Sequence, residues 1–269
     1  MLIAITLAAS AVAAYGILVG ALYTHQRQLL YKPDTSHPDP VRAGVPEVAV
    51  LSVPTSDGLA LRAWYLPPAA LDGFTALFLH GNAGHIGHRA SRARALHALG
   101  WGVLMLEYRG YGDNPGSPTE AGLITDARAG LSALRAKGVR ADRTLLWGES
   151  LGTSLAVWLG AENDVAAVLL EHPFTSVTEA AQGQYPYVPV RWLLKDRFDS
   201  LSRIPFVKAP ILIMQGARDR LVPPEMGRAL AAAAGGPVEL WVAPEAGHDD
   251  LGPFGGTEQA AAFVARHTH

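Results

Sequence analysis

The stretch Thr-Leu-Leu-Trp-Gly-Glu-Ser-Leu-Gly-Thr-Ser-Leu-Ala at 144–156 constrains the fold of this chain more than any other. Three apolar residues, Leu145, Leu146 and Trp147, read as a short buried strand. Leu155, Ala156, Trp158 and Leu159 carry helical spacing. Between them Gly148-x-Ser150-x-Gly152 is the pattern of a strand-to-helix turn with a serine at its apex. Such a turn holds the serine in a strained backbone, and side chains at the two glycine positions would strike the neighbouring strand and helix. The helix that follows aims backbone N–H groups and its positive dipole end at the serine. An ordinary glycine-rich turn would satisfy the five-residue pattern alone, so its context and partners must carry the reading.

The surrounding chain supplies that context. Apolar strand-like runs at 75–79, 103–106, 166–170, 211–215 and 238–242 alternate with helical stretches at 89–99, 119–135, 224–234 and 257–266. This alternation predicts a mostly parallel sheet covered on both faces. Two β-rich runs, 48–53 and 59–66, flank Ser56-Asp57-Gly58, an antiparallel hairpin signal ahead of the alternating units. The aromatic and proline-rich run 185–194 breaks the alternation and predicts a small cap at about 182–206. The expected architecture is α/β, with a central sheet, an N-terminal hairpin, helices on both faces and that cap.

Residues 2–23 form an uncharged apolar stretch, and roughly 20 such residues span a bilayer as a helix. Residues 1–24 are read as a single-pass transmembrane anchor. A cleaved signal peptide and a buried N-terminal helix are the alternatives; the missing basic n-region weighs against the former. Arg27 and Lys32 follow the span and no basic side chain precedes it, which favours a cytoplasmic catalytic domain. Gly16-x-x-x-Gly20 has the spacing that packs helix pairs. Residues 25–46, with four prolines, read as a linker without structure of its own, and 47–269 as the catalytic domain. The formal net charge of −2 provides no basic field for nucleic acid, and the absence of cysteine removes disulfides and thiolate catalysis.

A serine hydroxyl needs an adjacent base to act as a nucleophile. Of ten histidines, only His248 sits in a loop just beyond a strand near the C-terminus. Its imidazole needs a carboxylate to hold its tautomer. Asp219 follows the 211–215 strand at its carboxyl end, where sites form in open α/β sheets. Glu171, Asp249 and Asp250 are rival carboxylates. An oxyanion hole needs two N–H donors. Leu151, next to the serine, is one candidate; Asn82, in His80-Gly81-Asn82-Ala83-Gly84, is the other, with Ala83 as a fallback. His80, His85 and His88 form a histidine group whose loop offers no nearby carboxylate, so no metal and no cofactor is expected. Tyr108-Arg109-Gly110-Tyr111-Gly112 is expected to be a structural turn under the site, with Arg109 paired to a carboxylate.

Taken in order, these segments resemble the α/β-hydrolase superfamily and, within it, the membrane-anchored alpha/beta hydrolase domain-containing proteins. The resemblance covers nearly the whole chain. It is carried by 80–84, 108–112, 148–152, Pro173-Phe174-Thr175-Ser176, Arg197-Phe198-Asp199-Ser200, Asp219-x-Leu221-Val222-Pro223 and Gly247-His248. It implies a Ser150–Asp219–His248 serine hydrolase of small esters, thioesters or lipids, with an N-terminal membrane anchor. Asp249 stands where the resemblance leads one to expect Asn, and His85 where the family often has Asn. A serine peptidase, a membrane-tethered ligand-binding protein without catalysis and a structural membrane protein are the competing readings.

Overall fold

The structure is a computed structural model and describes residues 1–248 and 251–268. A helix, α1 (Leu2–Leu30), leads into a two-residue strand, β1 (Lys32–Pro33). The hairpin follows as β2 (Ala49–Pro54) and β3 (Ala60–Leu66). The alternating units are β4 (Thr75–Leu79), β5 (Ala83–Gly84), α2 (Ala90–Ala98), β6 (Gly102–Leu106), α3 (Glu120–Ala136), β7 (Thr144–Glu149), α4 (Leu151–Glu162) and β8 (Ala167–Glu171). Two cap helices, α5 (Val177–Gln184) and α6 (Val190–Leu193), precede β9 (Ile211–Gly216), α7 (Pro224–Ala233), β10 (Val238–Ala243) and α8 (Gly256–His267).

Eight strands form one sheet in the order β10-β9-β8-β7-β4-β6-β3-β2. Only the β2–β3 and β3–β6 pairings are antiparallel; the other five are parallel. Because successive side chains point to opposite faces, each central strand feeds two cores. Leu77, Leu146, Leu170 and Ile213 pack beneath Leu123 of α3 and Leu155 and Leu159 of α4. Phe78, Trp147, Leu169 and Met214 pack on the other face with Leu96 of α2 and Phe263 of α8. The uninterrupted apolar runs of β4, β8 and β9 are thus explained by burial on both faces.

The structure corrects the reading of residues 25–46. The helix does not stop near Tyr23 but continues to Leu30. Tyr31 is buried against Phe198, with ring centroids 6.4 Å apart. Lys32 and Pro33 pair in parallel with Ala83 and Gly84, and Val45 is fully buried. This segment is therefore integral to the domain. Over its length α1 has no buried residue, and by length and composition it can cross a membrane.

Beneath the site, Arg109 binds two carboxylates. Its Nε and Nη2 donate to Asp126 Oδ1 at 2.9 and 2.7 Å, and its Nη1 donates to Asp57 Oδ2 at 2.8 Å. Asp57 is the hairpin-turn residue, so this cation ties the hairpin to α3. Asp126 is fully buried, and burial pushes its carboxyl up even with Arg109 beside it. Removing only the cation leaves an uncompensated buried acid. Arg109→Ala should therefore cost about 3 kcal/mol or more, read as a lower urea midpoint at an unchanged slope.

Candidate active site

Five neighbouring strands end along one edge of the sheet. The loop after β4 carries Asn82, Ser150 directly follows β7 and His172 directly follows β8, and the loops after β9 and β10 carry Asp219 and His248. The parallel arrangement alone brings these residues, distant in sequence, to one side.

Ser150 adopts φ 48° and ψ −112°, a conformation rare for a residue with a side chain. Its N–H donates to the Glu171 carbonyl at 2.9 Å, and its carbonyl accepts from Thr153 N at 2.9 Å, so both sides of the turn are tethered. The flanking glycines are sterically required. A Cβ on Gly152 would lie 1.9 Å from the Leu79 carbonyl oxygen, and one on Gly148 2.5 Å from the Gly152 carbonyl oxygen. Both obstacles are backbone.

Ser150 Oγ lies 3.0 Å from His248 Nε2, and His248 Nδ1 lies 2.7 Å from Asp219 Oδ2. An ionised Asp219 can only accept, so it selects the tautomer with the proton on Nδ1 and leaves Nε2 to accept from the serine. Asp219 Oδ1 accepts the Leu221 and Val222 N–H groups at 2.9 and 2.8 Å. Burial alone would raise this carboxyl, but His172, His248 and the Val222 N–H outweigh it and hold it well below the usual carboxylate range. Glu171 is committed elsewhere: its Oε2 accepts from Arg92 Nη2 at 2.8 Å. Asp249 and Asp250, the other rivals, lie outside the described residues.

Leu151 and Asn82 line the same cavity as Ser150. Among the described residues neither backbone N–H has an acceptor. The Asn82 loop is braced from several sides. Tyr111 Oη donates to the Asn82 carbonyl at 2.8 Å, and Tyr108 Oη donates to the His80 carbonyl at 3.0 Å. The 108–112 turn thus supports the loop, as its sequence position suggested. Glu149, the residue before Ser150, accepts from Arg89 Nη2 at 2.8 Å and from Gly81 N at 3.3 Å. Burial works against its ionisation, but Arg89 holds its carboxyl below the ordinary value.

Sequence reasoning missed three participants. His172, at φ +52°, places Nδ1 3.2 Å from Asp219 Oδ2, and its ring lies 4.8 Å from that of His248. Its position directly after a buried strand was the available signal. Arg89 and Arg92 start α2 and compensate the two carboxylates beside the turn. A further correction concerns the histidine group: the β1–β5 pairing brings Asp34 Oδ2 within 3.6 Å of His85 Nε2 and 3.5 Å of His88 Nε2. His85 Nδ1 accepts the Gly87 N–H at 3.0 Å, so Nε2 keeps the ring proton and faces Asp34 as a donor.

Comparison with known proteins identifies the fold and the family. A family profile described as "Serine aminopeptidase, S33" matches residues 75–203. An uncharacterised Mycobacterium tuberculosis protein, Rv2307c, is 40% identical over 242 residues, covering 89% of this chain and 86% of the relative. Human alpha/beta hydrolase domain-containing protein 17B is 33% identical over 216 residues, covering 79% of this chain and 73% of the relative. Among solved structures, the Pyrococcus furiosus esterase Pf2001 superposes with a TM-score of 0.72 at 21% identity, covering 88% of this chain and 99% of that one. The architecture is the α/β-hydrolase fold. The chain belongs to the alpha/beta hydrolase domain-containing proteins.

Two outcomes test this geometry. Gly152→Ala should destabilise the protein by about 3 kcal/mol, because the new methyl meets the β4 backbone; thermal unfolding reads it. For Asp219, the folded pKa lies below the unfolded value of about 3.9. Its stabilising contribution is therefore present above about pH 4 and is lost as pH falls through the folded value. Urea titrations at pH 7 and pH 3 should find a smaller acid-induced loss of stability in Asp219→Asn than in wild type.

Proposed function

We propose that this protein hydrolyses carboxylic esters or thioesters through a Ser150–His248–Asp219 triad and an acyl-enzyme. The single observation that carries the proposal is the continuous hydrogen-bonded line from Ser150 Oγ through the His248 ring to Asp219 Oδ2, with links of 3.0 and 2.7 Å. Ser150 Oγ attacks the acyl carbonyl while His248 Nε2 takes its proton. Negative charge developing on the carbonyl oxygen is met by the Leu151 and Asn82 N–H groups. His248 then protonates the leaving alcohol or thiol. Water attacks the acyl-enzyme with His248 again as base, and the acid departs as Ser150 is regenerated.

The cavity beside Ser150 supports an apolar acyl group. It has a volume of about 260 Å³, and among the described residues leucine, valine and alanine make up most of its lining. A lining of this kind suits an acyl chain, which favours the ester reading over the peptidase one. The hydrogen-bonded triad likewise favours catalysis over a purely ligand-binding or structural role. Among membrane readings, an anchoring role for α1 is supported by its length and composition.

Full-length protein in mild detergent should hydrolyse p-nitrophenyl esters and react covalently with a fluorophosphonate at Ser150. Ser150→Ala should lower kcat by about 10⁴-fold or more and abolish labelling. Folded wild type that neither hydrolyses these esters nor takes the label would overturn the proposal.

A further inference from the structure

We infer that the C-terminal part of α1 is the specificity wall of the acyl cavity, and that the cavity receives an ester with a long apolar acyl chain sideways from the bilayer. This inference rests on the ester-hydrolase reading. Leu22, Tyr23, Gln26, Leu29 and Leu30 all line the cavity. Their spacing puts them on one face of the helix. The cap helix α5 also lines the cavity, presenting Val177, Ala180, Ala181 and Gln184 at helical spacing. The acyl cavity thus lies between the N-terminal helix and the cap, with Ser150 and Leu151 also lining it.

The helix is fastened where it forms that wall. Arg27 Nε and Nη2 donate to the two oxygens of buried Asp196 at 2.8 and 3.2 Å. Gln26 Oε1 accepts from Lys195 N at 2.7 Å, and Gln26 Nε2 donates to the Leu193 carbonyl at 3.3 Å. Tyr15 Oη donates to the Tyr187 carbonyl of the cap at 2.7 Å. At the end of the helix, Asn82 Nδ2 donates to the Leu30 carbonyl at 2.7 Å, and Lys32 N donates to the Asn82 carbonyl at 2.9 Å. The residue proposed to hold the oxyanion is therefore bonded to both sides of the helix terminus.

The end of the apolar run fixes the depth of this wall. Tyr23 closes the uncharged apolar stretch, and Thr24, His25, Gln26 and Arg27 follow it, so the helix leaves the hydrocarbon beside Leu22 and Tyr23, which line the cavity. The cap also meets the helix at Tyr15, about two turns before that point, so its Tyr187 end dips into the hydrocarbon while the mouth of the cavity sits at the membrane boundary. Trp192 on the cap is 85% exposed, and large aromatic side chains of this kind favour the headgroup region.

Two measurements on the full chain test this. The first is the ratio of kcat/KM for p-nitrophenyl octanoate to that for the acetate. Leu22→Trp on α1 and Ala181→Trp on the cap helix α5 should each lower this ratio about tenfold, whereas Ile17→Trp, on the exposed part of α1, should leave it unchanged. A ratio that falls in Ala181→Trp but not in Leu22→Trp would overturn the α1 wall and leave the hydrolase intact. Absence of any Ser150-dependent turnover would instead overturn the hydrolase reading, and this inference with it. The second uses phosphatidylcholine nanodiscs and a coumarin hexadecanoate ester. Turnover should be at least about tenfold faster when enzyme and ester share a disc than when they occupy separate discs. Equal rates would overturn entry from the bilayer.

Discussion

The close approach of the turn after β7 to the end of β4 is the constraint on which the rest depends. Gly152 is held so near the Leu79 carbonyl that no side chain fits, and this contact sets the first turn of α4 beside the loop that carries Asn82. Ser150 pays for that proximity with a left-handed backbone. The cost of such a conformation, about 1–3 kcal/mol, is offset by tethers on both sides, to Glu171 and Thr153. Because β4, β7 and β8 are adjacent and parallel, the same edge receives the serine, its expected oxyanion donors and His172. The next two strands deliver Asp219 and His248. Strand order thus converts a local steric restriction into a line of functional groups.

Charge compensation secures what packing brings together. Three cations, Arg89, Arg92 and Arg109, meet the carboxylates of Glu149, Glu171 and Asp126 under or beside the site. Buried acids of this kind are costly unless paired and hydrogen-bonded. Glu149 also accepts from Gly81, so one carboxylate links the serine turn to the Asn82 loop and to the start of α2. Asp219 differs from the others in being held by two histidines and two backbone N–H groups with no arginine among its hydrogen-bond partners. That arrangement keeps it ionised while leaving His248 dependent on it for its proton position.

Much of this fold is legible in the sequence because it follows local periodicity. Apolar runs such as Leu77–Phe78–Leu79 and Ile211–Leu212–Ile213 announce doubly covered strands, and Asp57-Gly58 announces the hairpin turn. Ser150, Asp219 and His248 could be nominated because each follows such a strand. The environment of Asp34 could not be read that way. It meets His85 and His88 only because Lys32–Pro33 pairs with Ala83–Gly84, a contact between residues about fifty positions apart that two-residue strands leave unsignalled. The continuation of α1 through Gln26 and Arg27 was hidden for a related reason. Polar side chains after an apolar run look like the end of a helix until their partners, Lys195 and Asp196, are known. His172 belongs to the same class, since its role depends on the position of Asp219 across the sheet edge.

The fastening of α1 changes what an N-terminal apolar helix contributes to such a chain. A tether needs only length and hydrophobicity, and a flexible linker would satisfy it. Here the helix runs without a break to Leu30, passes directly into Tyr31, which is buried in the core, and ends on the side chain of Asn82. A displacement of the helix relative to the domain must disturb Arg27–Asp196, the Gln26 bonds and the Asn82 loop together. The polar contacts of Gln26 and Arg27 lie just past the apolar run, and Leu30 packs against the domain core. The position of the helix end relative to the serine is fixed by these contacts and by the Asn82 bonds. On the proposed reading a single structural element serves both membrane attachment and substrate selection, and Tyr31, directly after it, is what packs that element into the core of the domain.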